Sequence, residues 1–466
     1  MAIEKILQSK KNANCILDLE KTLLSNDDDS ILSTMDTFQE LFTQLFLKNL
    51  IQLIPGLDKN EEKYRLWLIE RKKDLINNLL IYLNHDHEKL QKKSLDVLLT
   101  LVKLESVNKD VWDFPKELFG RIIFELLSPH IDQQTNILRF QVYASYDDIF
   151  MYTLKAIMNI LDKKEEVTDI FLTNLFYLLN ALKYPDEFHT SKVNTLLPQD
   201  SLKTPFCLKE KVICKLFSNT WNRFLKFQLP FPVLKRVLLV LHKKVIPHLQ
   251  NPYLLTDFLT DSYKQGGINS LLSLNSLYFL MAHYNVEYPD FFKNFYCLIS
   301  KDVVNGKFSS RFFYLCDLFL SSTHLPAYLI ASFAKRLSRI ALLSKTDSIL
   351  KIIVLVINLF IRHKTISVLI HKESPTELSE DPFVFEASDP AESHALESSL
   401  WEIKTLQNHI IPEISRKAKI LNHPLPSVEL DFSSTLDISL DSLYRKERKR
   451  KFEEVPLVVS RPFKTC

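Results

Sequence analysis

The chain has 466 residues, 46% hydrophobic and 25% charged, as expected of a globular protein with about two to four domains or one long repeat array. It has only five glycines and neither a Walker A nor a G-x-G-x-x-G motif, which excludes the common phosphate-cradling loops and doubly wound nucleotide folds. The formal net charge is +3, so a basic function must be confined to a local surface. This composition favours an all-α protein.

The cysteines and apolar runs give no indication of a metal site or a membrane segment. No cysteines form a C-x-x-C pair, and no cysteine–histidine cluster has zinc-site spacing, which favours a reducing, intracellular compartment. The amino-terminal residues lack the apolar core of a signal peptide. The longest apolar run, residues 349–361, is too short to span a bilayer. We therefore expect no metal, no cofactor, no small-molecule substrate and no membrane partner.

Residues 1–184 predict consecutive helices joined by short polar turns. The helices at residues 64–83 and 89–104, on either side of an aspartate-bearing turn, resemble a HEAT repeat. One such pair cannot bury its own apolar face, so neighbouring pairs must stack into a HEAT/armadillo-like helical-repeat solenoid. Residues 185–205, rich in Pro, Ser and Thr, predict a linker or surface loop before a second helical region at residues 206–425.

Two helices are predicted at the centre of the second region. The first covers residues 326–343, begins after a cap at Ser322 or Thr323, and has one apolar side. The second covers residues 349–361, is capped by Asp347, and is apolar all round, so it should be central in its domain.

The first of these helices carries three basic residues opposite its apolar side: Lys335, Arg336 and Arg339. They could contact RNA phosphates or a protein partner. They could equally form an ordinary solvated face, which is the more common role of charge on a surface helix. The sequence leaves both interpretations open.

The stretch from Asp389 to Trp401 predicts a well-capped helix. Asp389 suits the N-cap, Pro390 the first helical position, and Glu392 the third position of a capping box. The helix that follows places an apolar stripe on one face, with Trp401 beside it as a structural anchor in the core. Trp401→Ala should then destabilise this region by roughly 3–5 kcal/mol. The stripe consists of Leu396, Leu400, Ile403 and Leu406.

Two further segments are polar. Residues 373–388 are acidic and predict an exposed loop, and residues 426–466 predict a less ordered tail. The tail contains a basic run that favours a nuclear-localisation or nucleic-acid function, with a simply solvated tail as the alternative. The run comprises Arg445, Lys446, Arg448, Lys449, Arg450 and Lys451.

No residue pattern predicts catalysis. His394 and His409 have no Ser, Cys or Asp partner at a readable spacing, so a catalytic triad is not supported. We therefore expect a protein that is not an enzyme and has no catalytic, cofactor-binding or metal residues.

Three motifs in residues 317–412 carry a family resemblance. They are residues 317–343, then Asn358-Leu359 with Arg362-His363, then DPAESHALESSLWEIKTLQNH at residues 389–409. Together they resemble the CCAAT-box-binding-factor/nucleolar-complex-associated domain, and the run from Ala395 to Trp401 is most similar to the nucleolar complex protein 4 family. Residues 1–190 match only as generic helices.

The resemblance implies a nucleolar, non-enzymatic helical scaffold. Its relatives pair with nucleolar protein 14 and act in the small-subunit processome, the particle that matures small-subunit (18S) ribosomal RNA. Partners implied for this chain are therefore nucleolar protein 14, the pre-ribosomal particle and the rRNA backbone. The alternative is a helical-repeat transport adaptor of the karyopherin kind, which has the same composition and lacks only these motifs.

Overall fold

The computed structural model describes residues 14–25, 27–51, 58–105, 113–163, 167–185, 194–197, 209–286, 288, 290–371 and 380–449. Within these ranges every regular element is helical and no strand occurs. This confirms the predicted all-α helical-repeat class. No helix in the described ranges is both long and apolar enough to cross a membrane.

The contacts divide the chain into two units, Met1–Phe258 and Leu259–Cys466. The predicted domain boundaries at residues 184, 205 and 425 differ from this division and stay predictions. Most of the proposed linker at residues 185–205 lies outside the described residues.

Ten α-helices lie in the described residues of the amino-terminal unit. They are α1 (Cys15–Leu23), α2 (Asp28–Leu47), α3 (Lys59–Tyr82), α4 (Glu88–Leu104), α5 (Lys116–Leu126), α6 (Gln134–Phe140), α7 (Asp147–Lys163), α8 (Asp169–Ala181), α9 (Glu210–Phe224) and α10 (Phe231–Val240). A short π-helix (Leu241–Val245) and two 3-10 turns follow, and α11 (Thr256–Lys264) crosses into the second unit.

The helices of this unit pack in two rows. One row runs through α2, α4, α6, α8 and α10, and the other through α5, α7 and α9, while α3 packs against α4. From α4 to α8, each helix contacts the second helix along the chain, which is the arrangement of stacked two-helix repeats. The buried side chains between the rows are mainly Leu, Ile and Phe, as the apolar spacing of the helices requires.

The carboxy-terminal unit contains α12 (Gly267–Tyr284), α13 (Phe291–Leu298), α14 (Lys301–Val304), α15 (Ser309–Phe319), α16 (Ala327–Ala341), α17 (Thr346–Arg362), α18 (Trp401–Leu406), α19 (Pro412–Ala418), α20 (Phe432–Leu436) and α21 (Leu440–Lys449). Helix α17 lies at its centre, because α15, α16, α19 and α20 all pack on it. Every residue of α17 from Ser348 to Phe360 is buried, which confirms the prediction for this helix.

The predicted caps of the central pair are wrong. Pro326 occupies the N-cap of α16, and Lys345 that of α17. Asp347 instead lies in the first turn of α17, 3.7 Å from Lys351 one turn further on. An acidic side chain there favours the helix dipole without capping the helix.

The predicted tail begins as packed structure. Phe432 and Leu443 are buried. The side-chain amide of Asn358 accepts a hydrogen bond from the Leu430 N–H at 2.8 Å and donates one to the Leu430 carbonyl at 3.0 Å. The expectation that residues 426–449 are less ordered is therefore wrong for this part of the tail. Arg450 and Lys451, with the rest of the tail, lie outside the described residues.

Candidate functional site

The basic residues of α16 do not face solvent. Lys335 has no exposed side-chain area, and its ammonium lies 2.9 Å from Oε1 of Glu402, which is also fully buried. The same ammonium lies 3.0 Å from Oδ2 of Asp381 and donates to the carbonyl of Ser399. Lys335 is thus available neither to RNA nor to water, and both interpretations of its charge were wrong.

Arg339 completes the same cluster. Its guanidinium donates to Glu402 at 2.9 Å and to Asp381 at 2.6 Å. Two cations and two carboxylates therefore meet beneath the segment at residues 380–402, and their formal charges cancel. Charges buried this deeply are tolerated because each has an opposite charge and hydrogen-bond partners.

Asp381 is the hub of the cluster. Burial opposes its ionisation, but hydrogen bonds from Ser398, Trp401, Lys335 and the Phe383 amide together hold the pKa of Asp381 well below its usual range. The carboxylate is therefore charged at neutral pH. Asp381 belongs to the predicted exposed acidic loop, of which residues 380–388 are described. The loop is not simply exposed, because Phe383 in it is buried as well.

Arg336 anchors the neighbouring part of the same segment. Its guanidinium stacks 4.4 Å from the Tyr296 ring and 5.1 Å from the Phe385 ring. It also donates to the carbonyls of Ile299, Phe385 and Ala387 at 3.1–3.3 Å. All three basic residues therefore hold residues 380–402 against α16. Lys335 is fully buried, whereas RNA or partner contact through the partly exposed Arg336 and Arg339 stays a prediction.

Trp401 is not a core anchor. Its side chain is 39% exposed, the indole N–H donates to Oδ2 of Asp381 at 2.8 Å, and the Arg339 guanidinium lies 4.7 Å from the ring centroid. The ring therefore covers the charge cluster from outside and presents its other surface to solvent. A polar handle with an apolar body is typical of aromatic residues at protein surfaces that bind partners.

An open cleft of about 730 Å³ lies beside Trp401. Its lining includes Leu369, Leu400, Trp401, Lys404 and Thr405. The mixture of apolar and polar groups, with Lys404 as a charged member, suits protein contact.

The stretch before Trp401 is a set of short turns rather than one helix. Asp389 caps it, as predicted, by accepting from the Ala391 amide at 3.0 Å, and its carboxylate lies 3.4 Å from Lys293. The chain then forms two 3-10 turns, Pro390–Ser393 and Ala395–Glu397, separated by His394 in the left-handed region at φ 52°.

The prediction of a continuous helix fails because serine side chains compete for hydrogen bonds here. Ser393 bonds back to the Pro390 carbonyl, and Ser398 bonds to Asp381. Leu400, Ile403 and Leu406 are nevertheless buried, as predicted, while Leu396 is only half-buried.

One feature of the sequence is consistent with close packing on α16. Four small residues of this helix are all buried: Ala331, Ala334, Ser338 and Ala341. Small side chains let another segment approach a helix closely. The basic side of α16 could therefore be covered by another segment instead of facing solvent. Asp381 and Glu402, the acidic partners, carried no signal of their own.

The basic run lies partly on α21. Arg445, Lys446, Arg448 and Lys449 are exposed, and Lys446 lies 3.3 Å from the Glu413 carboxylate. The helix docks through Leu443, so it is not basic on all sides. Among the described residues, no three His, Cys, Asp or Glu side chains are grouped to hold a metal ion.

Two family models match the chain. Residues 270–418 match the CBF/Mak21 family, and residues 2–166 match a model described as nucleolar complex protein 4-like, TPR repeats. The first range contains α16, α17 and the whole charge cluster. The second covers the helical array from α1 through the whole of α7.

Similar proteins extend over nearly the whole chain. A nucleolar complex protein 4 homolog from Gallus gallus is 35% identical over 98% of this chain and 94% of its own length. A nucleolar complex protein 4 homolog from Homo sapiens is 35% identical over 100% of this chain and 95% of its own length. Nucleolar complex protein 4 of Saccharomyces cerevisiae is 33% identical over 78% of this chain and 73% of its own length.

Proposed function

We propose that this chain, which belongs to the nucleolar complex protein 4 family, is a helical scaffold that acts in the nucleolus during ribosome assembly. The observation that carries the proposal is similarity along nearly the entire chain to relatives from vertebrates, each named as a nucleolar complex protein. A stacked helical array supports it, since such arrays present long surfaces to partners rather than a catalytic pocket.

We place the protein in the small-subunit processome, where it would assist 18S rRNA processing as a heterodimer with nucleolar protein 14. The support is the resemblance of residues 317–409 to that family, together with the two compact units. The charge cluster contributes by fixing residues 380–402, so that Trp401 and the cleft beside it form a preorganised contact surface. A surface that is ordered before binding loses less conformational entropy when a partner docks.

The test is affinity purification of the tagged full-length protein from cells, followed by identification of both protein and RNA. We expect one stoichiometric protein partner, nucleolar protein 14, and precursors of small-subunit rRNA. Recovery of a monomer without ribosomal precursors would refute the assembly role. Recovery of transport cargo in place of precursors would favour the karyopherin-like alternative.

A Trp401→Ala variant tests the contact surface in the same experiment. Because the indole is partly exposed, its loss should destabilise the fold by less than the roughly 3–5 kcal/mol expected of a buried aromatic residue. It should nevertheless reduce recovery of the protein partner, because exposed tryptophans are frequent hot spots of interfaces. An exposed residue of the same unit, Tyr314→Ala on α15, is the matched control and should leave recovery unchanged.

A further inference from the structure

The amino-terminal unit contains a groove that the proposed scaffold role does not use. It lies between α5 and α7 and has a volume of about 710 Å³, within the usual range of binding sites, about 300–1,000 Å³. Its lining includes the buried rings of Phe119 and Tyr152, and Phe124, which is 53% exposed. The groove therefore has an apolar floor, of which Phe124 is the ring most exposed to water.

Charged side chains border this floor, four of them basic and two acidic: Lys116, Arg121, Lys155 and Lys163 with Glu117 and Glu125. Lys116, Lys155 and Lys163 line the groove, and the Lys155 ammonium lies 4.8 Å from the centroid of the Tyr152 ring. In the described part of the chain, no carboxylate forms an ion pair with any of these three lysines. Burial and the nearby Lys116 both lower the pKa of Lys155. The lysines thus lack the compensating charge that the basic residues of α16 possess.

Two acidic residues near the groove bind residues other than these lysines. Asp162, next to Lys163, binds Arg223, and Glu125 accepts a hydrogen bond from Asn84 at 2.8 Å. Lys116 and Lys155 therefore remain complementary to negative charge supplied from outside. An incoming carboxylate would also relieve the repulsion between the two ammonium groups.

We propose that this groove binds an acidic amphipathic peptide segment of another protein. Its carboxylates would pair with Lys116 and Lys155, and its apolar side chains would cover the exposed ring of Phe124. The inference does not depend on the nucleolar role, because it follows from the charges and shape of α5 and α7 alone.

A peptide fits the groove better than a nucleic-acid backbone. Glu117 and Glu125 also line it, and their carboxylates would repel a continuous row of phosphates. A peptide can place a carboxylate at each lysine and an apolar side chain elsewhere. The exposed Phe124 likewise favours an apolar contact.

Two variants disrupt the groove in different ways. The double variant Lys116→Glu/Lys155→Glu reverses its charge. Gly120→Leu fills it without changing charge, because a Cβ at Gly120 would meet no neighbouring atom within 4 Å and leucine favours the helix more than glycine does. The matched control is Lys211→Glu/Lys215→Glu, two exposed lysines one turn apart on α9 with the same change in net charge.

The measurement is fluorescence anisotropy of the purified full-length protein with a short labelled peptide that carries Glu on one helical face and Leu and Phe on the other. We expect binding that weakens as salt increases, about tenfold weaker binding by the charge-reversed variant, and loss of binding by Gly120→Leu. The α9 control should bind like the natural protein, and a peptide with Gln in place of Glu should bind about tenfold more weakly.

Three results would overturn the proposal. They are absence of peptide binding at low salt, equal weakening by the α9 control and the groove variants, and tighter binding of a labelled oligouridine that the groove variants abolish. The last result would assign the groove to RNA instead of an acidic peptide.

Discussion

Lys335 and Glu402 form an ion pair whose members are both fully removed from water. Removing an ion from water costs several kcal/mol, which its partners must offset through close contacts. Here the ammonium has two carboxylates and a backbone carbonyl within reach, and Glu402 also binds Arg339. The pair is therefore strongly coupled: changing one member leaves the other charged in an apolar surrounding.

Lys335→Met is expected to destabilise the carboxy-terminal unit by roughly 3–5 kcal/mol, because Glu402 then keeps a buried charge with only Arg339 opposite. The double variant Lys335→Met/Glu402→Gln removes both charges and should recover much of that loss. Denaturant unfolding of the natural protein and of each variant measures the difference. Equal destabilisation by the single and double variants would show that shape, not charge pairing, makes Lys335 necessary.

The acid stability of the protein should depend on Asp381. Its folded-state pKa is depressed, so it contributes stability that is complete above the unfolded pKa of about 3.9 and is lost as pH falls toward the folded value. The melting temperature should therefore decline below about pH 4. In Asp381→Asn the decline should be shallower and the stability at neutral pH lower. Parallel declines in the two proteins, measured by thermal melts from neutral pH to about pH 3, would count against this role of Asp381.

At the scale of elements, helices were easier to predict than the segments between them. The spacing of apolar residues in α16 and α17 is a local property, so the two helices could be predicted from sequence. The packing of residues 380–402 on α16 could not be predicted, because Asp381 and Glu402 lie more than forty positions from Lys335 in the chain. Likewise, Trp401 is a large aromatic residue of the kind expected in a core, and only the structure, with its hydrogen bond to Asp381, shows that it lies at the surface.

The docking of the segment after residue 426 depends on one buried amide of α17. Asn358 both donates to and accepts from the backbone of Leu430. Asn358→Leu leaves both backbone groups without that partner, which costs about 1–3 kcal/mol for each buried unsatisfied group. We expect faster amide hydrogen exchange in α20 and α21, measured by mass spectrometry on the full chain.

A matched control is available on α12. Asn275 is also buried, but among the described residues its amide nitrogen has no hydrogen-bond partner. Asn275→Leu should therefore leave exchange in α20 and α21 unchanged. If both variants accelerate exchange equally, general loosening of the unit explains the effect better than the bond to Leu430.

At the scale of the whole molecule, the balanced net charge hides an uneven distribution. The cations of α16 are neutralised inside the carboxy-terminal unit, whereas those of the α5–α7 groove and of α21 lie at the surface. A nearly neutral protein can therefore still carry local basic surfaces that attract acidic partners. The structure thus separates basic residues that hold the fold together from basic residues that are free to bind.

The described part of the basic run, Arg445 to Lys449, belongs to the second class, and we expect the run at residues 445–451 to direct nuclear entry. In the described part, Leu443 holds α21 while Arg445, Lys446, Arg448 and Lys449 remain exposed, so replacing them should not disturb packing. Changing these four and Arg450 to Ala should lower the nuclear-to-cytoplasmic fluorescence ratio of the tagged protein. The matched control changes five exposed lysines of the amino-terminal unit to Ala, namely Lys209, Lys211, Lys215, Lys226 and Lys243.

A second experiment distinguishes nuclear entry directed by this run from nuclear entry together with a partner protein. Residues 440–451 fused to an inert fluorescent reporter should concentrate it in the nucleus, because a basic cluster acts as a local electrostatic patch that needs no other part of the chain. A reporter that stays evenly distributed, together with normal nuclear entry of the five-residue variant, would mean that the run is only a solvated helix end. Entry would then depend on a partner protein or on another segment of the chain.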